Sequence, residues 1–201
     1  MQMRSRIIKL GGSLLDLDDL PGVFQQWLRQ QTPACNLVVV GGGTLAEQIR
    51  ALDGRHQLGD EIAHELAVEA MRLNTLVMSH LLPGEIVVDP TTIPEDDRGQ
   101  TLLIDPAAFL ATAGELRHAA TPPKSWDITS DSISAQVAQA YGASELVLLK
   151  SALPLNCTTW EEAAEGGYVD RFFPCAVRNV SHVRCVNLRD PQMPQWHPAA
   201  S

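Results

Sequence analysis

Positive charge is in short supply in this chain. Its 201 residues carry 15 lysines and arginines against 24 aspartates and glutamates, a formal net charge of −9. A general basic surface for nucleic acid is therefore not expected, and any anion site has to be local, made of backbone N–H groups and one or two lysines. Long apolar runs are missing too. Nothing approaches the roughly 18 to 20 residues that span a bilayer. Residues 1–6 lead straight into a strand without the apolar core of a signal peptide, so a cytoplasmic location away from membranes is expected. Cysteine is sparse: Cys35, Cys157, Cys175 and Cys185 form neither a C-x-x-C pair nor a dense framework, which suits reduced thiols. The six histidines are scattered with no H-E-x-x-H motif, so no zinc site is expected. Neither a G-x-x-x-x-G-K-[ST] loop nor a G-x-G-x-x-G fingerprint occurs.

What is present is a large core and a regular alternation. Apolar residues make up 45% and charged residues only 19%, the balance of an ordered domain. The length suits one domain, expected over 1–189, with 190–201 as a loose, proline-bearing tail. Apolar strands are expected over 6–10, 36–40, 85–88, 101–104, 145–149 and 183–188. Helical periods run over 19–31, 44–52, 59–81, 106–116 and 131–141, with a short capped helix near 158–162. Strands alternating with helices predict an α/β fold with a mostly parallel sheet. In the longest helical pattern Ile62, Leu66, Val68, Met71 and Leu73 form a broad apolar face.

Two strands end in glycine. Ile7-Ile8-Lys9-Leu10 runs into Gly11-Gly12-Ser13, and Val38-Val39-Val40 runs into Gly41-Gly42-Gly43. Residues without a Cβ let backbone N–H groups approach an anion closely, and a helix beginning at the turn adds the positive end of its dipole. Lysines lie at the carboxyl ends of two strands, Lys9 and Lys150, the edge where open α/β sheets collect ligands. Ser130 reads as a helix N-cap and Asp131 as a first-turn carboxylate, placed to orient the lysines. Two anion cradles, two lysines and a carboxylate are the set that phosphoryl transfer needs, because that chemistry is mostly positioning and charge neutralisation. Each part also has a plain structural reading: a tight turn, a capped helix, or a solvated pair for His64 and Glu65.

The order Lys9-Leu10-Gly11-Gly12-Ser13, Gly41-Gly42-Gly43, Thr129-Ser130-Asp131-Ser132 resembles the amino acid kinase superfamily over residues 6–150. Within it the chain is similar to small kinases of methanofuran-type one-carbon cofactor synthesis, which act on an already phosphorylated acceptor. That finer likeness rests on Ser125-Trp126-Asp127-Ile128, on Ala63-His64-Glu65-Leu66-Ala67 and on Tyr168-Val169-Asp170-Arg171-Phe172-Phe173-Pro174. The resemblance implies a three-layer αβα sandwich, ATP as donor with Mg2+ carried on it, and a homo-oligomer, commonly a dimer. It implies catalytic roles for Lys9 and Asp131, nucleotide phosphates at Gly11, Gly12, Ser13 and Ser130, and the acceptor at Gly41, Gly42, Gly43, His64 and Trp126, with strand-end Lys150 expected as a further catalytic cation that supplies the family's missing later lysine from another position. Two departures stand out. The family's Thr-Asp-x-x-Gly is replaced by Leu149-Lys150-Ser151-Ala152, and no lysine follows Lys150 where larger members carry one. A non-catalytic ligand-binding member, or a carboxylate, carbamate or uridylate kinase, are the alternatives.

Overall fold

The computed structural model describes residues 5–82, 85–87, 99–112 and 124–199. Along the chain lie β1 (Ser5–Leu10), α1 (Leu20–Arg29), β2 (Cys35–Val40), α2 (Gly43–His56), α3 (Asp60–Leu81), β3 (Glu85–Val87) and β4 (Thr101–Ile104). Then follow α4 (Pro106–Thr112), α5 (Ser130–Ala140), β5 (Glu145–Lys150), α6 (Trp160–Glu165), α7 (Phe173–Ala176), β6 (Val183–Asn187) and β7 (Gln195–Trp196). The sheet order is β3-β4-β2-β1-β5-β6-β7, all parallel except the final pair. β1 is central, with β2 on one side and β5 on the other, so the strand order reverses around it. A crevice opens at the carboxyl end of such a switch point.

The continuous apolar strands follow from burial on both faces. All six residues of β2 are buried. Successive side chains alternate between two cores. Ile7, Leu37 and Leu146 pack with α5, α6 and α7 through Ile133, Ala163 and Phe173. Ile8, Val38 and Val147 pack with α1 and the end of α3 through Phe24, Trp27 and Met78. The result is the expected three-layer αβα sandwich. Asp19 caps α1, its carboxylate accepting from the Gly22 N–H at 3.1 Å, and Pro21 sits harmlessly in the first turn. No helix among the described residues is long and apolar enough to cross a membrane.

Three expectations are corrected. The apolar face expected of α3 divides: Val68 and Met71 are buried, but Ile62, Leu66 and Leu73 point outward. The helix is apolar on two sides, and only one meets the sheet. Residues near the C-terminus do not form a loose tail. β7 pairs with β6, Met193 is buried, and Trp196 stacks edge-on against Trp160 at 4.8 Å. An isolated two-residue strand gives no periodic signal, so its anchoring through large side chains was not visible locally. Ser130 is not the N-cap of α5; Thr129 is, and its own side chain makes no capping bond. The acidic loop expected near 94–99 and the last turns expected of the helix from 106 lie largely outside the described residues.

Candidate active site

The strand-end lysines and the α5 carboxylate come together. Lys9 Nζ lies 2.8 Å from Asp131 Oδ1, and Lys150 Nζ donates to Asp131 Oδ2 at 2.7 Å. Adjacent parallel registers of β1 and β5 bring the two lysines to one edge, Lys9 opposite Leu148. Asp131 reaches them from the first turn of α5. The Lys9 and Asp131 side chains are 6% and 5% exposed, so water screens this cluster little. Oδ1 has no well-directed hydrogen-bond donor, and Lys9 neutralises it as an ion pair.

Two ammonium groups share the Asp131 carboxylate, and the Asp170 carboxylate adds a further negative charge that acts on Lys9. Burial pulls the Lys9 pKa down to about 8, against the Asp131 charge, which favours the ammonium. Burial alone would raise Asp131, but the Lys150 and Lys9 charges outweigh it and hold the carboxyl at about 2. The Lys9–Asp131 pair is therefore ionised at neutral pH.

The two glycine turns pack backbone against backbone beside this cluster. A Cβ on Gly12 would sit 2.1 Å from the Gly43 nitrogen, and one on Gly41 would sit 2.7 Å from the Gly12 nitrogen. Gly43 also has φ +52, a left-handed conformation that favours glycine. Gly12, Ser13, Gly42, Gly43, Ser130 and Asp131 line one cavity of about 800 Å³. Gly12–Leu14 forms a single 3-10 turn, and α2 starts at Gly43. The first N–H groups of such turns have no intrahelical acceptor and are suited to phosphate oxygens. Ser13 Oγ lies 3.1 Å from Ser151 Oγ, just past the end of β5.

Two glycines play other parts than expected. The Gly11 N–H donates to the Leu149 carbonyl at 2.9 Å, and the Gly41 N–H to the Leu10 carbonyl at 2.8 Å. Both N–H groups are used to extend the sheet, so these residues serve close packing and offer no donor to a phosphate. His64 is buried, its Nδ1 3.2 Å from the Ser125 carbonyl oxygen, and burial lowers its pKa. It fastens the loop that carries Trp126 and also lines the cavity. Trp126 Nε1 donates to Asp53 at 2.8 Å, and the Arg50 guanidinium covers its ring at 4.5 Å.

Several site residues escaped the sequence reading. Asn74 Nδ2 donates to the carbonyls of Gly41 and Gly42 at 2.8 and 2.9 Å, pinning the second turn from α3. Arg189 donates to the Ser13 carbonyl at 2.8 Å and pairs with Asp16, fastening the first turn from beyond β6. Neither sits in a motif. An amide among the buried positions of α3, as at Asn74, was the one local signal.

The fold and this cluster define an α/β protein with a buried charged site at the switch point of its parallel sheet. The profile of the amino acid kinase family matches residues 4–152, and the chain belongs to that family. It is 25% identical over 146 residues to the [5-(aminomethyl)furan-3-yl]methyl phosphate kinase of Methanocaldococcus jannaschii, a match covering 71% of this chain and 63% of that kinase. The match thus spans less than two thirds of that kinase. Among solved structures the chain is similar to the uridylate kinase of Archaeoglobus fulgidus, with TM-score 0.61, 14% identity, and 90% and 88% of the two chains covered. It is also similar to the UMP kinase of Ureaplasma parvum, with TM-score 0.64, 12% identity, and 96% and 93% covered. At such identities the structural likeness establishes the shared fold.

Proposed function

We propose that the chain is an ATP-dependent small-molecule kinase whose acceptor already carries a phosphate, as in methanofuran-type cofactor synthesis. The observation that carries this reading is the buried Lys9–Asp131–Lys150 cluster where the two glycine turns meet. In the reaction an acceptor phosphate oxygen bonds to the γ-phosphorus of ATP as the bond to the β,γ-bridging oxygen breaks, and ADP leaves. A phosphate oxygen is already ionised at neutral pH and needs no general base. Lys9 and Lys150 stabilise the charge on the moving phosphoryl group, and Asp131 holds both ammonium groups in register. Gly12 and Ser13 cradle the donor phosphates, with Ser130 beside them. Gly42 and Gly43 face the acceptor. Arg50, lying on Trp126 and paired with exposed Glu47, can swing to an anionic acceptor group. Mg2+, carried on the nucleotide's own phosphates, would neutralise charge between the β- and γ-groups.

Lys150 stands in for the later lysine of larger family members. Lys150→Ala is expected to lower kcat by about 10²- to 10³-fold, the usual cost of one preorganised donor. Unchanged turnover would remove Lys150 from the machinery. Millimolar MgATP should raise the wild-type melting temperature, because a ligand of the native state stabilises it. No rise at that concentration would favour the non-catalytic reading.

The homo-oligomer is proposed to form through α3. Ile62, Leu66, Leu73, Leu76, Val77 and Leu81 are 41% to 53% exposed on this one helix. Ile62, Leu66, Leu73 and Leu76 follow the alternating spacing of a helix-pairing seam. The helix is acidic at Asp60, Glu61 and Glu65 and carries Arg72 and His80 further on. An antiparallel second copy lays the exposed apolar rows together across a two-fold axis, the isologous arrangement. Light scattering should find a dimer for the wild type and a monomer for Leu73→Glu. A monomeric wild type at micromolar concentration would refute this surface.

A further inference from the structure

The segment Tyr168-Val169-Asp170 lies outside the lysine and glycine motifs, yet it touches both arms of the charged cluster. The Tyr168 carbonyl accepts from Lys150 Nζ at 2.8 Å, and that ammonium lies 4.9 Å from the centre of the Tyr168 ring. Asp170 reaches the start of α5, where Thr129 makes no capping bond of its own. Its Oδ2 accepts from the Thr129 N–H at 2.9 Å, the Thr129 hydroxyl at 2.9 Å and the Ser132 N–H at 3.0 Å. Its Oδ1 accepts from the Ser132 hydroxyl. The residues gripped flank Asp131 on both sides. Val169, buried between Tyr168 and Asp170, anchors the segment in the core, and the Tyr168 N–H donates to Ala163 of α6 at 2.8 Å.

The geometry points to Asp170 as a positioning residue for the phosphoryl-transfer cluster, a remote cap that locks the Thr129–Ser132 turn so that Asp131 faces Lys9 and Lys150 together. The inference rests on the kinase reading for its kinetic consequence and on hydrogen bonds alone for its structural one. An ordinary cap taken from the helix's own Ser or Thr would fix the backbone but not tie it to the strap that also holds Lys150. Here one short segment sets both the carboxylate and the second ammonium. Burial and the neighbouring Asp131 charge raise the Asp170 pKa, while the four donors oppose them. The carboxylate is thus kept for the bonds it accepts at some electrostatic cost.

The test compares Asp170→Asn with Asp170→Ala. An asparagine oxygen can keep the three Oδ2 bonds, and its NH2 can donate to the Ser132 hydroxyl, so the turn stays locked without the charge. Alanine removes all four bonds. Expected is a kcat loss of about 100-fold for Asp170→Ala with the nucleotide KM within about twofold, since a misplacement of about 1 Å costs that much. Asp170→Asn should recover kcat to within about fivefold of wild type. Equal losses in both variants would mean that charge rather than hydrogen bonding matters, and would overturn the positioning role. If Asp170→Ala does not fold, Ser132→Ala removes one bond and should lower kcat about threefold to tenfold at constant KM; no change would overturn the role as well. A second readout needs no substrate: in ¹⁵N-lysine spectra the slowly exchanging ammonium signals of Lys9 and Lys150 should persist in Asp170→Asn and vanish in Asp170→Ala. If the wild type turned nothing over while the spectra behaved so, the kinase reading would fall and the positioning role would stand. Spectra unchanged in Asp170→Ala would overturn the role whatever the turnover.

Discussion

Asp131→Asn is expected to abolish phosphoryl transfer, lowering turnover by at least about 10³-fold, and to destabilise the fold. The carboxylate sits between two ammonium groups at 2.8 and 2.7 Å in a site nearly closed to water. An amide leaves the two buried ammonium groups without the carboxylate they share. Breaking a buried pair by removing one partner costs about 3–5 kcal/mol. The remaining lysines can relieve that cost only by losing protons, which takes away the charge the reaction needs.

The pH dependence of the wild type follows from the same cluster. Asp131 titrates at about 2 in the folded chain, below its ordinary value of 3.8. The unfolded chain takes up its proton first, so the stability Asp131 contributes is complete above about 4 and is lost as pH falls towards 2. Lys9 behaves oppositely in sign. Its pKa near 8, against 10.5 when unperturbed, means that folding penalises its ammonium; the penalty is full below 8 and fades as pH rises to 10.5. Activity should decline through pH 8 as Lys9 discharges, even while this contribution to stability grows. Urea denaturation between pH 2 and 10, beside a rate profile, checks both. If Asp131→Asn kept the wild-type loss of stability between pH 4 and 2, the carboxylate would not be its source.

Gly12→Ala should be the most damaging small substitution outside the charged cluster. The new methyl would lie 2.1 Å from the Gly43 nitrogen and 2.4 Å from its Cα, both backbone atoms with no rotamer to yield. The two turns must part, at a cost of about 1–3 kcal/mol or more. Because the turns proposed to hold donor and acceptor then separate, kcat/KM should fall at least about 100-fold. Gly54→Ala makes the matched control. It lies in α2 with nothing within 4 Å of its added Cβ, so alanine should be neutral or stabilising by up to about 1 kcal/mol. Turnover of Gly12→Ala comparable to that of Gly54→Ala would refute the close packing of the turns.

Much of the fold was legible because its signals are local. β2 reads as a covered strand from six consecutive residues, and α1 shows its buried Leu20, Phe24 and Trp27 at helical spacing with Asp19 and Pro21 at its start. The second face of α3 was misread for the same reason. Periodicity shows that Ile62, Leu66 and Leu73 share a helix face with other apolar residues, but not which side the sheet covers. At the site, Gly11 and Gly41 were legible as glycines of tight turns. That their N–H groups extend the sheet depends on Leu149 and Leu10 being strand neighbours.

The sequence by itself determined the alternation of strands and helices and the two glycine turns after buried strands, features written in residues within a few positions of one another, where spacing and backbone preference suffice. The αβα layering and the amino acid kinase family followed from the resemblance carried by the ordered motifs at Lys9, Gly41 and Asp131, while the short α7 and β7 left no local signal. Only the tertiary structure decided that the Lys150 ammonium also bonds the Tyr168 carbonyl, that Asn74 pins the second turn, and that Asp170 caps a helix across 41 residues of chain. Those contacts depend on the sheet order around β1 and on the register of β5, which set distances no local pattern encodes.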